Sequence, residues 1–160
     1  MTIQIGDRVP STTFVKPTEN GPEQVSSDDF FAGRKVALFS VPGAFTPTCS
    51  ARHLPGYVEK AAELKAKGVD EIACTAVNDA FVMGAWGREQ KAAGKVRMMA
   101  DGSAEFSKAC GLTLDLSARG MGIRSDRYAM LVEDGVVKAI NREAPGKFEV
   151  SSAEAMLQAL

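Results

Sequence analysis

Lys35-Val36-Ala37-Leu38-Phe39-Ser40-Val41 runs directly into Pro42-Gly43-Ala44-Phe45-Thr46-Pro47-Thr48-Cys49-Ser50. The first part does not alternate between apolar and polar residues, which is the pattern of a strand buried on both faces. Pro-Gly ends it, and a short loop leads into a helix start built around a cysteine. Thr46 is a favoured N-cap type and Pro47 fits the first helical position. Cys49 then stands third in the helix, where amides lack intrahelical acceptors and the helix dipole favours negative charge. Both effects stabilise a thiolate. Arg52 and His53 follow at i+3 and i+4, near the same face. A Cys-His pair is geometrically open, but a first-turn helix pair is not the usual protease arrangement, and a helix-surface or interface role is expected for His53. Pro55 cannot donate to the carbonyl of Ala51, so the helix should kink there and leave the Cys49 turn free to unwind after oxidation.

Working outward, the pattern predicts a mixed α/β fold. Thr12–Val15 and Gln24–Val25 read as extended pieces around an Asn20-Gly21 turn. Ser27-Asp28-Asp29 caps a short helical turn through Phe30 and Phe31. Tyr57, Ala61 and Leu64 recur at helical spacing up to Lys67 and Gly68. Residues 71–77 form the next strand, Asp79 caps a helix from Ala80 to about Ala93, Val96–Ala100 is a third strand, and residues 103–110 a short helix. Residues 112–126 read as loop. Arg127–Val132 and Val136–Asn141 make a hairpin around Asp134-Gly135. Ser151 and Glu154 form a capping box for a last helix, residues 152–160. The order βαβαβα then ββα suits a thioredoxin-like fold, a mixed central sheet flanked by helices, in a single domain over residues 1–160.

Composition narrows the function. Hydrophobic residues are 45% and charged residues 24%, the profile of an ordinary globular chain, and 19 basic against 20 acidic residues leave no charge excess to attract nucleic acid. No apolar run is long enough to span a bilayer, and the first ten residues, with Asp7 and Arg8, lack an apolar signal core. A cytoplasmic location without membrane partners is expected. Three cysteines, Cys49, Cys74 and Cys110, form no C-x-x-C pair, which disfavours a disulfide framework, a zinc ribbon and a thioredoxin-type dithiol. The single histidine, His53, limits metal sites and hydrolytic triads. Cys74 lies mid-strand and Cys110 on a short helix, so packing is the expected role of each. Phe30-Phe31 and Met98-Met99 read as core, and Asp28-Asp29 as helix-start charge.

Acidity alone is a weak device. A cysteine of ordinary pKa is already a few per cent thiolate at neutral pH, so full deprotonation gains only about 30-fold. Faster attack on any electrophile needs donors aimed at the atoms where charge develops in the transition state. Thr46 offers a hydroxyl, and Thr48 and Cys49 offer amides. An arginine from elsewhere would complete the site, and the residues alone leave Arg52, Arg88, Arg124 and Arg127 open.

Residues 42–50, followed by His53-Leu54-Pro55-Gly56, closely resemble the peroxiredoxin signature, specifically that of the type II, or atypical, subfamily. Val77-Asn78-Asp79-Ala80-Phe81-Val82-Met83 with Ala85-Trp86, and Arg124-Ser125-Asp126-Arg127-Tyr128 leading into Glu133-Asp134-Gly135, are similar to the same subfamily. The resemblance implies a thioredoxin-like fold with an N-terminal β-hairpin extension. It implies reduction of hydrogen peroxide and organic hydroperoxides without metal, haem or flavin. Peroxide-attacking Cys49, the hydroxyl of Thr46, active-site Arg127 and shielding Pro42 carry over by position, and Arg88 resembles a second arginine supporting the site from behind. It also implies a homodimer through the active-site face, with Phe45, Phe81 and Trp86 in matching regions. Mammalian members place a resolving cysteine near the last helix, where this chain has Glu149-Val150-Ser151-Ser152. A one-cysteine cycle is therefore expected, with glutathione or glutaredoxin resolving the sulfenic acid and thioredoxin as the alternative reductant. A peroxide sensor relaying oxidation to a partner protein would use the same cysteine.

Overall fold

A computed structural model describes residues 2–160. The elements in chain order are β1 (Thr13–Thr18), β2 (Gly21–Ser26), α1 (Ser27–Phe31), β3 (Lys35–Ser40), a π-turn (Cys49–His53), α2 (Leu54–Ala66), β4 (Glu71–Ala76), α3 (Ala80–Glu89), β5 (Arg97–Ala100), α4 (Glu105–Cys110), β6 (Thr113–Leu116), a 3₁₀ turn (Ser117–Arg119), β7 (Gly122–Ser125), β8 (Tyr128–Glu133), β9 (Val136–Arg142) and α5 (Ala153–Gln158). The seven-stranded sheet runs β2-β1-β5-β4-β3-β8-β9. β3, β4 and β5 are parallel, while β8 and β9 add antiparallel on one side and β1 meets β5 antiparallel on the other. This is the expected thioredoxin-like mixed sheet, with the β1–β2 hairpin extending one edge.

β3 explains its own sequence. Ala37 and Phe39 face a core formed with Leu54, Tyr57 and Leu64 of α2, Met83 and Trp86 of α3 and Met156 of α5. Val36 and Leu38 face a second core with Phe30 and Phe31 of α1, Phe106 and Cys110 of α4, and Met99. A strand covered on both faces has no polar side to show. Phe30, Phe31, Met98 and Met99 are all buried, as their sequence context suggested, and burial pushes the Cys110 thiol up to about 12.

Several boundaries differ from the sequence expectation. α3 stops at Glu89, because Lys91 adopts a left-handed conformation (φ 57°) and Ala92 N turns back to Gly87 O at 2.9 Å. That is a Schellman closure made by a lysine where Gly94 was the expected stop. Residues 113–125, read as loop, contain the β6–β7 hairpin with Thr113 opposite Ser125; its strands are too short for their alternation to stand out between glycines. α5 is capped by Ser152, whose hydroxyl accepts from Ala155 N, and Ser151 is engaged elsewhere. Ser26, one residue earlier than expected, caps α1. Asp79 caps α3 as expected, accepting from Val82 N at 2.8 Å.

Two helical glycines should respond oppositely to alanine. A Cβ on Gly87 would lie 2.9 Å from Met98 Cγ, whereas one on Gly56 would meet nothing within 4 Å. Gly87→Ala should destabilise by about 1–3 kcal/mol despite alanine's better helix propensity, and Gly56→Ala should stabilise by up to about 1 kcal/mol. Urea midpoints of the two variants check both signs.

Candidate active site

The loop between β3 and the π-turn is held from below. Val41 N donates to Thr75 O, and Ala44 N to Asn78 Oδ1 at 2.9 Å. Gly43 leaves little room for a side chain, since a Cβ there would meet Thr46 Cγ2 at 3.1 Å and Arg124 Nη1 at 3.2 Å, and both neighbours would have to shift. Phe45 is left-handed (φ 64°) and turns the chain into the helix. Thr46 stands at the expected N-cap position but does not cap. Its hydroxyl donates to Gly43 O at 2.7 Å, which closes the loop on itself. Ser50 N is the amide that bonds back, to Thr46 O at 3.0 Å, so the amides of Thr48 and Cys49 ahead of it lack an intrahelical acceptor.

The irregularity expected at Pro55 takes the form of the π-turn immediately upstream. Leu54 N reaches Cys49 O, one residue further back than in an α-helix. From α3, Trp86 Nε1 donates to Ser50 Oγ at 3.0 Å and Gln90 Nε2 to Ser50 O at 3.1 Å, pinning the turn. Trp86 is therefore fully buried inside the chain, unlike the exposed Phe45 (48%) and Phe81 (73%) with which it was grouped for an interface.

Cys49 is fully buried, and Arg127, just before β8 and 78 residues away in sequence, donates from Nη2 to Sγ at 3.1 Å. Its other terminal nitrogen, Nη1, lies 2.8 Å from His53 Nδ1. His53 Nε2 in turn lies 3.0 Å from the Ser151 carbonyl. A carbonyl only accepts and a guanidinium only donates, so the imidazole is the neutral Nε2–H tautomer with its Nδ1 lone pair on Arg127. Burial, and then the Arg127 charge, push His53 down to about 3. The helix-surface or interface role expected for His53 is thus incorrect: residues 143–152, distant in sequence, close over the ring. The chain's own signal was its place one turn after Cys49.

The four open arginines separate cleanly. Arg127 reaches the sulfur. Arg52 is exposed and lies over the Phe148 ring at 4.8 Å. Arg124 braces the loop from behind, donating from Nε to Met121 O and from Nη1 to Val77 O beside Gly43. Arg88, expected in that supporting place, is exposed and lines a concavity with Lys16 and Pro17. Two residues past Trp86, it points away from the face of α3 that holds Ser50. Pro42 and Thr48 line a cavity of about 100 Å³ with Leu114, Arg127, Pro145 and Lys147. Cys74 is fully buried in β4, and burial, with Cys49 nearby adding to it, pushes its thiol well up. Among the described residues no cluster of histidine, cysteine and carboxylate side chains has the makings of a metal site, and no helix is long and apolar enough to cross a membrane.

Comparison with known proteins agrees with this geometry. The Redoxin family matches residues 4–157. Peroxiredoxin-2B of Arabidopsis thaliana is 52% identical over 159 residues, covering 99% of this chain and 98% of that one. The chloroplastic peroxiredoxin-2E-2 of rice, Oryza sativa, is 52% identical, covering 99% and 73%. The crystal structure of reduced Prx3 from Vibrio vulnificus in complex with hydrogen peroxide superposes with a TM-score of 0.95 at 52% identity, over 99% of both chains. The chain belongs to the peroxiredoxin family of thiol peroxidases, on its type II branch.

Because His53 takes up a proton far more readily unfolded (6.5) than folded (about 3), the unfolded state binds more protons throughout that window. Stability should fall as pH drops through it. Between pH 7 and pH 5 the wild type should lose about 2 kcal/mol more than His53→Gln, read from urea midpoints at each pH. The imidazole resonance should show no titration between pH 5 and pH 8.

Proposed function

We propose that the chain reduces hydrogen peroxide and organic hydroperoxides through Cys49, in a one-cysteine cycle reset by glutathione or glutaredoxin. The observation that carries this is the guanidinium of Arg127, which donates to the buried Cys49 sulfur and belongs to a residue that also lines the small cavity at Pro42. In this reading the Cys49 thiolate attacks one peroxide oxygen, the S–O bond forms as the O–O bond breaks, and the departing alkoxide or hydroxide leaves as alcohol or water on taking a proton. Arg127 and the Thr48 and Cys49 amides stabilise the charge that moves from sulfur to oxygen. Because the Thr46 hydroxyl spends its proton on Gly43 O, its lone pairs are free to accept the peroxide O–H. Pro42 forms one wall and limits water around the reacting atoms.

The product is Cys49 sulfenic acid. A first glutathione thiol displaces water to give a mixed disulfide, and a second thiol, from glutathione or glutaredoxin, restores Cys49. Two features support an external thiol. Residues 149–152, which resemble the region where mammalian members carry a resolving cysteine, hold none, and Cys74 is sealed in the core with its thiol held protonated. Reduction by thioredoxin is the alternative. Cys49 must become accessible for either, and the π-turn is the segment placed to unwind. The reaction as written uses no metal or organic cofactor. We assign the protein to the cytoplasm and, from exposed Phe45 on the active-site loop and exposed Phe81 at the start of α3, to a homodimer.

Cys49→Ser should abolish peroxide consumption, whereas Cys74→Ser and Cys110→Ser should retain it with glutathione and glutaredoxin as reductants. Turnover lost in Cys74→Ser, with the first oxidation of Cys49 intact, would replace the one-cysteine cycle with an internal one. Arg127→Ala should slow Cys49 oxidation well beyond the roughly 30-fold that thiolate fraction can explain, in stopped-flow traces compared at pH 7 and pH 9. Full recovery at the higher pH would reduce Arg127 to a tuner of acidity.

A further inference from the structure

Asn141-Arg142-Glu143-Ala144-Pro145-Gly146 looks like the polar exit from a strand, and a glutamate there would ordinarily be a solvated turn residue. In the fold it is buried, at 6% exposure. Its two oxygens collect the amide of Glu149 (2.9 Å to each), and Oε2 also accepts from Val150 N (2.8 Å), Ser151 N (2.8 Å) and the Ser151 hydroxyl (2.7 Å). Three successive amides and a hydroxyl converging on one carboxylate shape residues 149–151 into a clasp. Burial pushes the Glu143 carboxyl up, but the Ser151 hydroxyl and the three amides outweigh it and hold the group below its usual range.

What the clasp presents is the Ser151 carbonyl. It accepts from Tyr57 OH at 2.9 Å and meets His53 Nε2 at 3.0 Å, in a fully buried environment. With Nε2–H committed to that carbonyl, Nδ1 has to face Arg127 as an acceptor. Glu143 also touches Arg127 from the other end, since its own amide donates to Arg127 O at 3.0 Å. One residue thus holds the backbone of Arg127 directly and steers its guanidinium through Ser151 and His53.

We propose that Glu143 is a positioning residue for the peroxidase reaction: it fixes the Ser151 carbonyl, which sets the His53 tautomer that aims Arg127 at Cys49. The proposal rests on the peroxidase reading only for its kinetic consequence. The tautomer itself is a property of the reduced protein at rest. A glutamine reproduces the clasp only in part: with its oxygen at the Oε2 place, its amide nitrogen meets the Glu149 N–H where Glu143 offers Oε1, and the negative charge that the converging donors hold is gone.

His53 is the only histidine in the chain, so its ring nitrogens are read without assignment in a ¹⁵N-labelled sample. Wild type should show Nε2 protonated and Nδ1 bare. Glu143→Gln should show a tautomer mixture with faster Nε2–H exchange, and its rate constant for Cys49 oxidation by hydrogen peroxide should fall about tenfold. Adding His53→Ala to Glu143→Gln should slow oxidation no further than His53→Ala alone, since both act on the same arginine. Unchanged tautomer and rate in Glu143→Gln, or effects of the two substitutions that multiply, would overturn the proposal. If circular dichroism shows Glu143→Gln misfolded, Ser151→Ala, which removes one of the clasp's donors, takes its place, with the same direction expected and a smaller change. A wild type that consumes no peroxide would sink the peroxidase reading and leave the tautomer result to judge the clasp.

Discussion

The contact between the Arg127 guanidinium and the Cys49 sulfur is the constraint around which the rest is arranged. A cation that close to a buried sulfur needs its remaining donors met, and here a neutral imidazole meets one of them. A charged histidine would repel the arginine, and an exposed one would charge in mild acid. Burying His53 deeply enough to keep it neutral solves both problems, but creates a polar group in an apolar interior that must itself be partnered. The Ser151 carbonyl is that partner. The requirement passes from sulfur to arginine to imidazole to carbonyl, and so ties the start of β8, the π-turn and the segment leading into α5 into one network.

The sheet serves the same constraint. Parallel pairing of β3 with β4 and antiparallel pairing with β8 bring the end of β3 and the start of β8 side by side, with Ser40 opposite Tyr128. Arg127 and the loop bearing Cys49 are therefore neighbours across one strand pair although far apart in sequence. Two cores, one on each face, stiffen β3 against any movement that would separate them. The π-turn is pinned through Ser50 by side chains of α3 and its C-cap, in addition to its own helical bonding.

Much of this was legible in the chain itself, and the reasons are specific. The apolar run of β3, the Thr-Pro-x-Cys helix start and the Asp134-Gly135 turn each carry a local cause within a few residues. Arg127 was singled out only through resemblance, because a strand-end arginine has no local mark of its task. His53 was misread because its environment is made by residues 143–152, and no periodicity connects the two segments. Arg88 was misplaced for the opposite reason: helical spacing from Trp86 was available and argues against it. Lys91, ending α3 without a glycine, shows that a left-handed cap is set by closure of the last turn and not by residue type alone.

The cavity at Pro42 carries a consequence for selectivity. About 100 Å³ is the room of a few water molecules, whose share of liquid volume is about 30 Å³ each. Under the proposed peroxidase reading, a hydroperoxide approaching Arg127 through this recess would have room there for little more than its O–O unit, with a long tail left outside. On that reading, discrimination between substrates would fall to the lining, where apolar Leu114 and Pro145 stand with cationic Lys147, rather than to the sulfur itself. Related chains could diverge in the tails they tolerate by changing these lining residues alone, while the atoms around the sulfur stay as they are.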